Sequence, residues 1–247
     1  VEIVGNGFLA THLRRLEGRH ADTVALAAGV STTAHTARAD FAREAELVAA
    51  TAARCRATGR RLLFFSTASS AVYRLVDGPG REDGPVVSSN PYGAHKLSLE
   101  QRVRAEGVDY LTLRLGHIVG PGQPPHQLVP ALVRQILDGE VGVQRWATRD
   151  LLGVDDAVTI IDQLLDRDLR AETVNVASGT AVPIDRIVDH LEARLDRRAR
   201  RRRIDAGEGH VVSVRKLRSY VPVTGTMFGP GYYRRVLDAY LGRKDRG

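Results

Sequence analysis

Val1-Glu2-Ile3-Val4-Gly5-Asn6-Gly7-Phe8-Leu9-Ala10 is the stretch on which the fold turns. Its first residues read as a short, mostly apolar strand. The strand runs into a glycine turn, and a helix is predicted to follow through Leu16. Glycines at 5 and 7 let backbone come close to a pyrophosphate, while a helix N-terminus presents free N–H groups at its positive end. Ala10, last in the pattern Gly-x-Gly-x-x-Gly/Ala, keeps the helix near the strand. A plain strand–helix turn carries the same short signature, so the motif takes its meaning from the rest of the chain.

Outward from it, Asp22 to Val30 has a buried-strand pattern ending in Ala27-Ala28-Gly29, small residues against which a flat ligand can lie. Phe41 to Thr58, rich in Ala, Glu and Leu, reads as a helix stopped by Gly59. Leu62 to Phe65 is wholly apolar, as a parallel strand covered on both faces must be. A loop through Gly78-Pro79-Gly80 and Asp83-Gly84-Pro85 precedes a helix from Pro91 to Arg104. Tyr110 to Leu115 and Thr173 to Ala177 read as strands. Leu128 to Leu137, Pro183 to Leu195 and Tyr232 to Leu241 read as helices, and another is expected to be capped by Asp155 or Asp156. Strands alternate with helices throughout. The expected fold class is α/β, a mainly parallel sheet covered by helices on both faces.

Chemistry concentrates in Asn90-Pro91-Tyr92-Gly93-Ala94-His95-Lys96. Residues four apart share a helix face. An ammonium beside a phenol favours the phenolate and lowers its pKa from about 10. Such a phenol exchanges a proton with a carbonyl or an alcohol near neutral pH. Upstream, the apolar strand ends in the hydroxyl run Ser66-Thr67-Ala68-Ser69-Ser70, which could hydrogen-bond the same oxygen. A Tyr-x-x-x-Lys spacing alone also describes a solvated helix face.

Composition narrows the class. Charged residues make up 26% and hydrophobic ones 43% of 247 residues, ordinary for a globular chain. Neither a membrane span nor a secretory leader is expected, and the lone Cys55 reads as a packed thiol; these point to a cytoplasmic protein. Net charge is +7, which allows an anionic ligand. The densest basic run, Arg197 to Arg203, lacks interleaved aromatics and reads as a solvated helix end and loop. No nucleic acid is therefore expected as a partner. His126 and His210 have no companions at metal-ligand spacing, so no metal site is expected.

The ordered pieces resemble the extended short-chain dehydrogenase/reductase family of nucleotide-sugar epimerases, dehydratases and ketoreductases. They are Gly5 to Ala10, Leu26-Ala27-Ala28-Gly29, Ser66 to Tyr73, and Asn90 to Lys96 with Glu100. Arg114 with Gly120-Pro121, Arg149-Asp150-Leu151 with Val154-Asp155-Asp156, and Asn175 to Gly179 follow in order. The resemblance implies a single Rossmann-like domain over residues 1–247, with a small C-terminal substrate lobe mainly from 121–150 and 178–240. It makes Tyr92 the acid/base, Lys96 its tuner and a ribose contact, and Ser69 the carbonyl-orienting hydroxyl, with Thr67 and Ser70 as near alternatives. Gly5, Asn6, Gly7, Phe8 and Leu9 would meet the pyrophosphate of NADP or NAD, with Ala27, Ala28 and Gly29 beside its ribose. Ser70, His117 and Gln123 would face a small keto or hydroxy substrate. For His117, a hydrogen-bonded strand-end histidine is an equal reading, and Arg145 and Trp146 serve equally as lobe or rim packing. A homodimer through the helices 41–58 and 91–104 is also implied.

The chain departs from that pattern. Only Thr11 to Thr23 separates the glycine turn from the Leu-Ala-Ala-Gly strand, where the family places another strand, a helix and a third strand. The residue that grips the adenosine ribose, expected about 20 positions past the glycines, has no strand to sit on. The glycine turn is one residue shorter than usual, His117 stands where Asn is common, and Arg74 replaces a Gly. The leading expectation is an NAD(P)-dependent ketoreductase or epimerase of a nucleotide-activated deoxysugar or similar keto compound, in secondary metabolism. The alternative is a redox-neutral isomerase, dehydratase or cyclase that uses Tyr92 and Lys96 with dinucleotide binding weakened or lost. A non-catalytic scaffold that contacts an acidic partner or nucleic acid through Arg197 to Arg203 is the third.

Overall fold

The computed structural model describes residues 1–31 and 37–242. In chain order the first half comprises β1 (Glu2–Val4), α1 (Phe8–Leu13), β2 (Thr23–Leu26) and α2 (Arg38–Ala57). It continues through β3 (Arg61–Thr67), α3 (Ser70–Tyr73), α4 (Pro91–Ala105) and β4 (Tyr110–Leu115). The second half opens with β5 (His117–Val119), α5 (Leu128–Leu137), β6 (Glu140–Gln144), β7 (Thr148–Arg149) and β8 (Leu151–Gly153). Then come α6 (Val154–Asp166), β9 (Glu172–Val176), β10 (Val182–Pro183), α7 (Ile184–Leu195) and β11 (Arg200–Ile204). Short helices α8 (Arg215–Tyr220) and α9 (Thr224–Met227) lead into α10 (Tyr232–Gly242).

Among the described residues the central sheet is parallel, in the order β1-β2-β3-β4-β9. Side chains that alternate along β3 explain why the sequence there is apolar without interruption. Leu62 and Phe64 enter the core with Val48, Ala52 and Cys55 of α2 and Leu99 and Val103 of α4. Leu63 and Phe65 enter the other core, with Ile160, Ile161 and Leu164 of α6. Both faces are covered, as expected. Burial pushes the Cys55 thiol up and leaves it unreactive.

The shortened N-terminal region has a direct structural counterpart. β1 pairs with β2, and no further strand among the described residues lies beyond it, so β1 is the sheet's edge. The connection is a single short helix, ending at Leu13 rather than Leu16 and followed by a 3₁₀ turn.

Three expectations are corrected. Arg197 to Arg203 is a loop only as far as Ala199: Arg200–Ile204 forms β11, parallel to β6. Arg201 is neutralised there by Asp189 at 2.7 Å and Glu192 at 2.6 Å, partners from α7 that make a strand of arginines tolerable. Neither Asp155 nor Asp156 caps α6, because Gly153 holds that position. Asp155 pairs with Arg15 instead, and Asp156 accepts a hydrogen bond from the Tyr232 hydroxyl at 2.5 Å. Strands β5 to β8 were not anticipated either; β5 pairs with β8 and brings His117 opposite Leu151. Among the described residues no helix is long and apolar enough to cross a membrane.

Candidate active site

A cavity of about 840 Å³ opens between the C-terminal ends of the central strands and the second half of the chain. Asn6, Gly7, Phe8 and Leu9 line one end with Ala27, Ala28 and Gly29. Ser69, Ser70, Tyr92 and Lys96 line the other, with His117 and Gln123 across from them. The structure thus brings the expected site residues onto one surface, except Gly5. Gly5 lies behind the wall with φ at +132°, and a Cβ there would come within 2.5 Å of the Ala27 carbonyl oxygen. Its glycine character serves the close approach of β1's end to β2's end.

The Tyr92 end is held by dense hydrogen bonding. Asn90 caps α4 by accepting from the Gly93 N–H at 2.9 Å, and Pro91 occupies the first helical position. Ser69 caps α3, its hydroxyl accepting from the Ala71 N–H at 3.3 Å and from the Thr67 hydroxyl at 2.9 Å. The Thr67 side chain also lies near the Tyr92 phenol and helps to lower its pKa. Thr67 therefore stands between Ser69 and Tyr92 in a line of hydroxyls at the end of β3.

Tyr92 does not follow the expected shift. Burial raises its pKa above the ordinary phenol value; Lys96 and Thr67 pull it down, and Glu44 pushes it up again. The net direction is upward, because removing a phenolate from water outweighs one ammonium whose charge is already shared. Lys96 lies 5.8 Å from the centre of the Tyr92 ring, and its ammonium donates to Glu44 Oε1 at 2.6 Å.

Glu44 was not anticipated. Its other oxygen takes the His95 ring Nε2 at 2.8 Å and the Val30 N–H at 3.1 Å. Burial pushes this carboxyl up, and His95, Lys96 and Val30 outweigh that and bring it below the ordinary range. The signal was present: Glu44 lies on the same face of α2 as the buried Val48, Thr51, Ala52 and Cys55. A carboxylate on an apolar stripe needs a cation across from it.

Beneath the hydroxyls lies a second buried network. Glu100 accepts from Ser66 at 2.6 Å and from two Arg114 nitrogens at 2.9 and 2.7 Å. Arg114 also donates to the Tyr73 hydroxyl at 2.8 Å, which in turn donates to Asn175 at 2.8 Å. Glu100, Arg114, Tyr73 and Asn175 were each visible as motif positions, and the structure joins them into one floor.

Across the cavity, His117 is pushed down to about 3 by burial first, then by Arg149 and His210, so its ring is neutral at working pH. Its backbone N–H donates to the Asp150 carbonyl at 2.8 Å. Gln123 uses its amide to hold Ile118 O at 3.1 Å and Gln127 at 2.9 Å. Arg149, visible as a motif position but not expected as a site residue, also lines the cavity. Burial lowers its pKa, with Glu208 the countering charge. Its neighbour Asp150 turns away, accepting from Ser178 N–H and hydroxyl at 2.8 and 2.7 Å and from Gly179 N–H at 2.7 Å. Burial pushes that carboxyl up to about 6, against those donors. Arg145 and Trp146 stay outside: Trp146 is exposed, with the Arg145 guanidinium 4.9 Å from its ring centre. Among the described residues no group of His, Cys, Asp and Glu could hold a metal ion.

The sequence profile of the NAD dependent epimerase/dehydratase family matches residues 10–177, more than half of the chain. The chain belongs to that family. The match begins after the glycine turn and ends at the close of β9. The low-salt glycan biosynthesis protein Agl12 of Haloferax volcanii is 31% identical over 124 residues, covering 47% of this chain and 40% of that protein. The alignment thus spans less than half the length of that relative. RMD from Pseudomonas aeruginosa, solved with NADPH, superposes with a TM-score of 0.78 at 21% identity, covering 97% of each chain. MoeE5, solved with UDP-glucuronic acid and NAD, gives a TM-score of 0.77 at 23% identity, covering 98% of this chain and 85% of that one. These superpositions agree with the Rossmann-like sheet.

Proposed function

We propose that this chain is a nicotinamide-dependent enzyme that reduces a ketone of a nucleotide-linked sugar or epimerises such a sugar. The observation that carries the proposal is the placement of the hydroxyl line Ser69–Thr67–Tyr92, with Lys96, at one end of a cavity whose other end is a glycine turn. The cavity's size suits a ligand larger than a single sugar. Family membership supports a carbon–oxygen redox step, and the nicotinamide and sugar-nucleotide ligands of RMD and MoeE5 support the ligand classes.

The residues fit a nicotinamide dinucleotide in part. Gly5 brings the β1 turn against Ala27, and a Cβ on Gly7 would meet nothing within 4 Å, so the turn is open to a phosphate group. Asn6 to Leu9 would hold the pyrophosphate and Ala27 to Gly29 the adjoining ribose. When bound, the dinucleotide supplies hydride exchange at the substrate carbon. Ser69 and Thr67 orient the substrate oxygen by hydrogen bonding. Tyr92 gives that oxygen a proton in the reducing direction and takes it back in the other. Lys96 supplies the positive charge that steadies the developing phenolate. Arg149, half-buried beside the neutral His117, is suited to the diphosphate of a sugar nucleotide.

The test is turnover of dTDP- and UDP-linked 4-keto sugars, with NADH or NADPH oxidation followed optically. Consumption of either cofactor with stoichiometric alcohol formation is expected. Absence of turnover together with no detectable binding of either cofactor overturns the reading. One observation favours a second reading: β1 is the sheet edge, so the adenosine side has no strand beyond it among the described residues. In that reading Tyr92 and Lys96 perform redox-neutral proton transfer.

A further inference from the structure

The function proposed above does not use Glu44, yet the fold is built around it. The side chain is 1% exposed, and Lys96, His95 and the Val30 N–H occupy its two oxygens. Gly29 makes room for it: φ there is +135°, and a Cβ would sit 2.2 Å from Glu44 Oε1. His95 is fixed in turn, its ring stacked on Phe41 at 4.3 Å and 15°. Phe41 is one turn from Glu44 on α2. Elements α2, α4 and the loop after β2 therefore converge on one carboxylate.

Burying a carboxylate and an ammonium together is costly, and a well-packed apolar pair would serve stability as well or better. What the ion pair changes is the field at Tyr92. The Lys96 ammonium is shared between the Glu44 oxygen at 2.6 Å and the Tyr92 ring, 5.8 Å from its centre. We infer that Glu44 is a positioning residue for the reaction, holding the Lys96 ammonium and offsetting part of its charge where it faces Tyr92. The groups that face Tyr92 are Lys96 from its own helix, Glu44 from α2 and the Thr67 hydroxyl from β3. His95 acts on Glu44. This inference rests on the Tyr92–Lys96 assignment made above.

Glu44→Gln keeps the shape and removes the charge. Tyrosine ring carbons are followed by NMR through a pH titration, and the Tyr92 signal is identified by its loss in Tyr92→Phe. In Glu44→Gln the midpoint of Tyr92 is expected about one pH unit lower than in the parent, the size of a neighbouring-charge effect. The alkaline limb of the reduction rate should move by the same amount. If Glu44→Gln does not fold, Glu44→Asp withdraws the carboxylate from Lys96 and should shift the midpoint the same way by less. An unchanged or higher midpoint in a folded variant, or no phenolate in either protein across the folded range, overturns the inference. A shifted titration with neither turnover of a keto sugar nucleotide nor binding of either cofactor removes the proposed function and leaves the Glu44–Lys96–Tyr92 coupling standing. Turnover with an unmoved titration does the reverse.

Discussion

The two ends of the cavity are built by different means. At the Tyr92 end, side chains do the positioning: Glu44 fixes Lys96, Thr67 donates to Ser69, and Glu100 with Arg114 and Tyr73 forms the floor. The two carboxylates there, Glu44 and Glu100, each hold more than one donor. At the glycine-turn end, the walls from Asn6 to Leu9 and from Leu26 to Ser31 carry no charged side chain. That end offers backbone and small residues on the edge of a sheet. In the proposed function the contrast means that the reaction chemistry is written in side chains, whereas recognition of the dinucleotide's far half is left to main-chain shape.

If the contrast holds, single substitutions should be severe at the first end. Tyr92→Phe removes one oxygen from the proton path and is expected to lower turnover by about 10²–10⁴-fold. Thermal unfolding should move little, since the ring remains packed. Turnover within tenfold of the parent would displace Tyr92 from its role.

Glu100→Gln tests the floor. It leaves the Arg114 guanidinium buried without a counter-charge, and breaking a buried pair in this way costs about 3 kcal/mol. Urea unfolding should register that loss. Glu100 touches Ser66, Arg104 and Arg114 but not Tyr92, so turnover per folded molecule should fall far less than in Tyr92→Phe. A full loss of activity in a stably folded Glu100→Gln would make the floor part of the chemistry.

Arg149→Met acts across the cavity and sharpens the comparison differently. A charge-assisted hydrogen bond to an anion contributes about 2 kcal/mol, so KM for a sugar nucleotide should rise roughly 30-fold while kcat changes little. A KM that stays put would assign the diphosphate to another group.

Much of this was legible in the sequence because it is local. Tyr92 and Lys96 lie within one helix, and Ser69 lies at the end of the most apolar strand. The edge position of β1 was legible too, since too few residues separate the turn from β2 to build another strand and its helix. Glu44 was legible only as a carboxylate on an apolar stripe: its partners lie 51 and 52 residues away, and only the assembled α2–α4 contact reveals them. The direction of the Tyr92 shift was missed for the same reason, because burial and Glu44 are properties of the packed state. Arg200 to Arg203 gives no alternating apolar pattern, so nothing local announces a strand; the acidic residues of α7 that make one tolerable are neighbours only in space.

The smallest expected effect falls at the glycine-turn end, and it is the one that tests the contrast most directly. Proteins that separate NADP from NAD do so with a side chain at the adenosine ribose, an acid to hold the hydroxyl or an arginine for the added phosphate. Here the strand that would carry such a residue has no counterpart between Thr11 and Thr23, and the described lining at that end is uncharged. Discrimination between the cofactors should therefore stay below about tenfold in Kd, less than about 1.4 kcal/mol. Titration calorimetry with NADH and NADPH after removal of bound nucleotide measures it. A preference of a hundredfold or more would require a charged group to reach the ribose from outside the described wall. The glycine-turn end would then be as specific as the Tyr92 end, and the division of labour between main chain and side chain would fail.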